Sequence, residues 1–417
     1  MQIFNGRSSI NLPFIIAFIV IIVPQIILKP FGGDLSIVDI GAPLVIFFCA
    51  IRKRLNFPPS QLLLLLFIFY VFSSYFIMML FYEGEYISSS PYLIRMISMY
   101  APVFLVPYMK REPEEFYHFG RVFVVVSLVV TTVIVVLYAI GWGNFNAHQT
   151  TENTDGITVN RLGGLAGESG AFAYNVLFIF YMVVIVYFAA EKKRYKQIIS
   201  FITVMFVLFI SFKYSLARVI LICAGAVMFF GYLFSPVSLV KKYFVLFFAF
   251  LLCVIVSFYL TSSSLDLSTY RLSNLSNTDL NSVSSGRVSH WMDAVALYTE
   301  SPLNVIFGVG HRMSVRFLGH AVENFFIQNL LDYGVIGTTI FVIFIWSLLK
   351  PIIKDARTKN GVSIAVLIVF TGIFLQWQFN DINTYYQTYP ATLFFLSWWS
   401  LVCREKIKTN RDSLLSE

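Results

Sequence analysis

Charge is scarce in this sequence. Only 12% of its 417 residues are Asp, Glu, Lys or Arg, about half the share that soluble domains carry. With so few solvating groups and 58% hydrophobic residues, a water-soluble enzyme and a disordered chain are excluded. Cysteine is equally sparse. The four (Cys49, Cys223, Cys253, Cys403) lie inside apolar runs without C-x-x-C spacing, so they read as small core residues rather than as disulfides or a thiol metal site. Several chemical motifs are also missing: a Walker A loop, H-E-x-x-H and any Asp-x-Asp pair. ATP-driven transport, zinc proteolysis and metal-dependent use of nucleotide sugars therefore lose support. No repeat or low-complexity tract interrupts the chain.

What is abundant is the long apolar run. A helix needs about 20 mostly apolar residues to cross a bilayer. Twelve stretches approach or reach that length: 12–28, 35–51, 61–82, 91–109, 119–141, 170–190, 197–212, 217–235, 243–261, 323–349, 361–379 and 386–403. The expected fold is all-α, a single polytopic membrane domain over 1–417. The first run has no small-residue cleavage site and a second span follows it at once, so it reads as a span rather than a cleaved signal. The seventh and eighth form the weakest pair, separated only by Lys213 to Leu216.

The net charge of +8 invites a reading as nucleic-acid binding, but the position of the charge argues otherwise. With both termini in the cytoplasm, 21 of the 30 basic residues fall on that side, in clusters such as Arg52-Lys53-Arg54, Lys192-Lys193-Arg194 and Lys241-Lys242. That is the positive-inside pattern. The excess is a topology signal, and nucleic acid has no place as a partner.

The nine basic residues left outside differ in kind: seven Arg to two Lys, against nine Arg to twelve Lys inside. Arginine's planar fork suits bidentate binding of phosphate, whereas lysine is a point charge. An outward arginine set thus favours an anionic, phosphorylated ligand over scattered solubilising charge. Two outer connections are long, 142–169 and 262–322, and loops kept at such length are usually functional. The second carries Arg271, Arg287, Trp291, Arg312 and Arg316. At its end, on a helix, His320, Glu323, Asn324, Gln328 and Asp332 would share one side. Polar groups there would face a cavity, with Glu323 as a partner for the helix dipole as the plainer alternative. In the first loop, Arg161-Leu162-Gly163-Gly164 leads through Gly167-Glu168 to a helix start, where backbone N–H groups can meet phosphate, although glycines equally serve turns. Arg95 and Arg218 lie about a turn inside their spans, where snorkelling explains a lone cation. The last outer turn, Gln376-Trp377-Gln378-Phe379-Asn380-Asp381, fits sugar faces and equally the ordinary aromatic belt.

Four ordered stretches resemble the O-antigen polymerase and O-antigen ligase superfamily of bacterial cell membranes. They are Arg161 to Glu168-Ser169; Tyr214-Ser215-Leu216-Ala217-Arg218; Ser285-Gly286-Arg287 with Trp291, Ser301-Pro302-Leu303 and Gly308-Val309-Gly310; and His320 to Gly337 with Glu323-Asn324. Ligases place His directly before the Asn of the last motif. Here that position is Glu323, and with the acidic Glu168 this makes the chain more similar to a polymerase. The resemblance implies a metal-independent glycosyltransferase in the inner membrane, with its active face periplasmic and no cofactor. It would move a growing glycan from undecaprenyl diphosphate to a sugar hydroxyl on a second lipid-linked repeat unit. Partners would be undecaprenyl-diphosphate-linked glycans, the lipid bilayer and a chain-length regulator protein. Arg161 and Arg287 would stabilise the leaving diphosphate and Glu323 would act as general base. Arg218, Arg312, Arg316, His320, Asn324 and Glu168 would bind substrate. An O-antigen ligase and a lipid-linked oligosaccharide transporter are the alternatives.

The topology can be checked by labelling, because the native cysteines all lie inside apolar runs and should give little background. Ser276→Cys should react with a membrane-impermeant maleimide in intact cells, and Ser413→Cys only after permeabilisation. The reverse pattern would invert the topology.

Overall fold

A computed structural model describes residues 12–22, 37–51, 57–81, 90–142, 151–152, 158–159, 162, 169–191, 193–215, 219–234, 287–378 and 388–416. Among them are fourteen α-helices and one two-residue strand pair. In chain order the helices are α1 (Leu12–Ala17), α2 (Ile37–Ile51), α3 (Pro59–Met79), α4 (Ser90–Tyr100), α5 (Pro113–Ala139), α6 (Ser169–Val183) and α7 (Arg194–Ser215). They continue with α8 (Val219–Leu233), α9 (Arg287–Thr299), α10 (Pro302–Phe307), α11 (Met313–Leu318), α12 (Phe325–Arg357), α13 (Gly361–Gln378) and α14 (Thr388–Ser416). Strands β1 (Thr151–Glu152) and β2 (Thr158–Val159) pair antiparallel.

Among the described residues, five segments are long and apolar enough to cross a membrane: Pro59–Met79, Pro113–Ala139, Phe172–Ala189, Phe325–Arg357 and Gly361–Gln378. Shorter apolar helices occupy Leu12–Ile22, Gly41–Ile51, Tyr195–Phe209 and Val219–Leu233. The expected span at 243–261 lies outside the described residues. The chain is an all-α multi-pass membrane protein. Its surface agrees with that assignment: Phe47, Phe69, Leu80 and Phe206 are each more than half exposed, an arrangement natural against lipid and costly in water.

The interior is aromatic. Phe116, Phe119 and Phe123 of α5 meet Phe394, Phe395, Trp398 and Trp399 of α14 edge-on or tilted. Phe178 of α6 joins the same cluster. Rings packed this way add about 0.5–1.5 kcal/mol per pair beyond their buried area. Basic and acidic residues pair at one end of the bundle. Arg111 pairs with Glu405 at 2.8 Å, Lys406 with Asp355 at 2.9 Å and Arg121 with Glu191 at 3.3 Å. The buried Asp355 carboxylate also accepts from Ser363 at 2.6 Å, tying the ends of α12, α13 and α14.

Two spans depart from regular helix for reasons visible in their residues. The 91–109 stretch turns from α-helix to a 3₁₀ helix over Ala101–Tyr108, where Pro102 and Pro107 cannot donate backbone hydrogen bonds. Within α12, Gly334 has φ 63° and ψ −173° and breaks the helix. Three successive carbonyls before the break take bonds from outside. Leu331 O accepts from Val309 N–H at 2.8 Å and Asp332 O from Gly310 N–H at 3.0 Å. Tyr333 O accepts from the Tyr70 hydroxyl at 3.0 Å, a proton shared with Ile306 O at 3.2 Å. The expected loop 262–322 is therefore not simply a loop: α9, α10 and α11 occupy its second half, and residues 308–310 lie on the broken helix.

That backbone-to-backbone contact leaves no room for a Cβ. One added at Gly308 (φ 76°) would sit 2.4 Å from Asp332 C, and one at Gly334 would sit 2.3 Å from Ile306 O. Strain at positive φ and overpacking together should cost about 2–5 kcal/mol. Gly308→Ala and Gly334→Ala are therefore expected to lower the thermal midpoint in detergent steeply. Gly361→Ala, with open space around its Cβ, should leave it unchanged.

Candidate functional site

The end of the bundle remote from the Asp355–Lys406 tie holds most of the described candidates. Helix α12 begins at Phe325, with Asn324 as its N-cap. The Asn324 side chain accepts from Phe326 N–H at 3.0 Å and Ile327 N–H at 3.1 Å, and its amide donates to Gln378 O at 3.1 Å. All of its polar atoms are thus engaged in holding α12 against the end of α13. Glu323 precedes the cap with φ 53°, a left-handed backbone that costs a non-glycine residue roughly 1–2 kcal/mol.

This corrects the expectation of one helical face from His320 to Asp332. The helix starts after Glu323, so His320 and Glu323 belong to the approach. Only Gln328 and Asp332 keep helical register, and there Gln328 Nε2 donates to Asp332 Oδ2 at 2.9 Å.

The approach 320–323 is laced to α9 instead. Arg287 Nε lies 2.6 Å from Glu323 Oε2, an ion pair by distance and only partly exposed. One turn further along α9, the His290 ring stacks on His320 with centroids 3.9 Å apart. Asp293 Oδ2 stands 3.3 Å from His320 Nε2, and Trp291 Nε1 donates to Val322 O at 3.0 Å. Helical spacing along 287, 290 and 293 puts the three polar groups on one face of α9.

Arg312 and Arg316 enter from α11 and the turn before it. Arg312 sits at φ 62°; its N–H bonds Asp332 Oδ2 at 3.1 Å, and its guanidinium lies over the Tyr92 ring at 5.4 Å, within cation–π reach. Arg316 stands in the last turn of α11. Asp332 is fully buried. Beside it, buried His311 presents Nδ1 to the Tyr333 hydroxyl at 2.7 Å, with the two rings stacked.

Arg161, Glu168 and Arg218 lie outside the described residues. The structure brings Arg287 and Glu323 together, places His320 beside them, and sets Arg312 on α12's break. Sequence reading missed His290, Asp293 and His311. The first two could have been found from the period of α9. His311, adjoining Gly310, carried no pattern. Among the described residues, no group of three His, Cys, Asp or Glu is arranged to hold a metal ion. No known family model matches the chain, and no curated protein matches it either.

Burial, reinforced by the Arg312 charge, pushes His311 down to about 3 from an ordinary value near 6.5. Below pH 6.5 the unfolded chain then binds a proton that the folded chain refuses, so stability falls with pH by about 1.4 kcal/mol per unit. Between pH 6.5 and 5 the fold should lose roughly 2 kcal/mol through this group. His311→Gln should flatten that part of the profile of thermal midpoint against pH.

Proposed function

We propose that this chain is a membrane glycosyltransferase that polymerises undecaprenyl-diphosphate-linked oligosaccharide repeat units into O-antigen or a related surface polysaccharide. It would span the bacterial inner membrane twelve times, with both termini cytoplasmic and the Arg287 end periplasmic. The observation that carries this reading is the Arg287–Glu323 pair at 2.6 Å. A forked cation suited to a diphosphate and a carboxylate suited to a hydroxyl stand together at the end of a long apolar helix. Arg312 and the ordered likeness to O-antigen polymerases add to it.

In the reaction, a hydroxyl oxygen of the acceptor sugar attacks the anomeric carbon of the donor glycan. The bond from that carbon to the diphosphate oxygen breaks, and its electron pair leaves with undecaprenyl diphosphate. The hydroxyl proton passes to Glu323. Negative charge grows on the leaving diphosphate, and fixed cations in a partly dry site stabilise it more than water would. The pair implies an exchange of partners. Arg287 shifts from Glu323 to the diphosphate, and the released carboxylate becomes the general base. Arg312, Arg316, Arg161 and Arg218 would complete the cationic clamp, with Glu168 and His320 toward the sugars. Asn324 contributes by fixing the helix start.

Purified protein given only lipid-linked repeat units should extend them. Growth only when a lipid A core acceptor is supplied would mark a ligase instead, and movement of the units across the membrane without bond formation would mark a transporter. Glu323→Gln should slow chain growth about 10²–10⁴-fold while binding undecaprenyl diphosphate more tightly, because Arg287 loses its competing carboxylate. Arg287→Lys should keep the charge but lose the fork, with slower growth. Wild-type rates in both variants would contradict the assignment.

A further inference from the structure

At the bundle end opposite Arg287, a small cavity with room for about one water molecule lies where α3, the 3₁₀ stretch and α14 meet, lined among others by Gln61, Val106, Ser397, Ser400 and Arg404. Its polar groups are deeply buried: Gln61 is 1% exposed, Ser397 5% and Ser400 1%. Gln61 Nε2 donates to Val103 O at 2.6 Å, which fixes the amide so that Oε1 is the remaining atom. Gln61 Oε1, Ser397 Oγ and Ser400 Oγ have no protein partner, although buried oxygens are almost always hydrogen-bonded.

The chemistry of these atoms selects the guest. Gln61 Oε1 only accepts, so the guest must donate. The two hydroxyls serve either way, and Ser397 and Ser400 are nearly one helical turn apart on α14. Arg404, whose Nη2 donates to Ser347 O at 2.8 Å, makes the cavity unfavourable for a cation. A halide or a fully deprotonated oxyanion cannot donate to Gln61, an oxyanion that keeps a proton is too large for a space of about one water, and a hydrocarbon tail satisfies none of the three oxygens. Water donates twice and accepts twice, and a buried water characteristically makes about three bonds to such groups.

We propose that this cavity is a structural hydration site, in which ordered water bridges Gln61 of α3 to Ser397 and Ser400 of α14. The water completes the Gln61 amide, which in turn holds the 3₁₀ stretch through Val103. It joins three elements where prolines have removed regular helix bonding.

The test is a high-resolution crystal structure of the full chain grown in sodium bromide, with anomalous data collected at the bromine edge. The expected result is compact density within about 3 Å of all three oxygens and no anomalous signal there. An anomalous peak would identify an anion site, and elongated density a lipid tail. A site without density, or hydroxyls paired with each other, would make it dry. Each of those three outcomes overturns the proposal.

Discussion

A backbone carbonyl at membrane depth has no water to turn to, and each one left unmade costs several kcal/mol. That constraint governs the part of this protein around Gly334. Gly334 breaks α12 and frees carbonyls before the break. Val309, Gly310 and the Tyr70 hydroxyl supply the donors that Leu331, Asp332 and Tyr333 require. The break and the Gly308–Gly310 turn are therefore one feature, separated in sequence and inseparable in energy. Neither glycine tolerates a Cβ, because the partner backbone occupies that space.

Once the turn is docked, the segment from α9 to α11 has a fixed place. His311 is drawn into the bundle, and Arg312 is pinned through its N–H to Asp332 with its guanidinium over Tyr92. Helix α9 then lies along residues 320–323, bringing Arg287 to Glu323 and His290 to His320. Asn324 stops α12 from starting earlier and leaves Glu323 in its left-handed backbone. The proposed chemistry follows from this order: a cation and a carboxylate that exchange partners need a rigid frame on both sides.

The membrane-spanning character of the chain was legible because it resides in composition and run length, which act locally. The break in 91–109 was foreshadowed by its prolines, although residue pattern alone read it as one span. The helix start at Phe325 was not legible. A period of 3.6 fits His320 to Asp332 on paper, but it does not register that Asn324 caps the helix with its own side chain. The Arg287–Glu323 pair joins residues 36 positions apart in the sequence, so only the docking of α9 reveals it. His290 and Asp293 share the period of α9 with Arg287 but stand out only once 287–299 is known to be a helix, whereas His311, alone in a turn, carries no period of its own.

In the proposed reaction the Arg287 end of the bundle receives a lipid diphosphate through exchange with Glu323. A cryo-EM structure of the full chain in lipid nanodiscs with undecaprenyl diphosphate tests it most directly. The account predicts phosphate density within about 3 Å of the Arg287 guanidinium, with the Glu323 carboxylate moved away from it. Phosphate bound at the opposite end, or an Arg287–Glu323 pair left intact beside a bound headgroup, would contradict it.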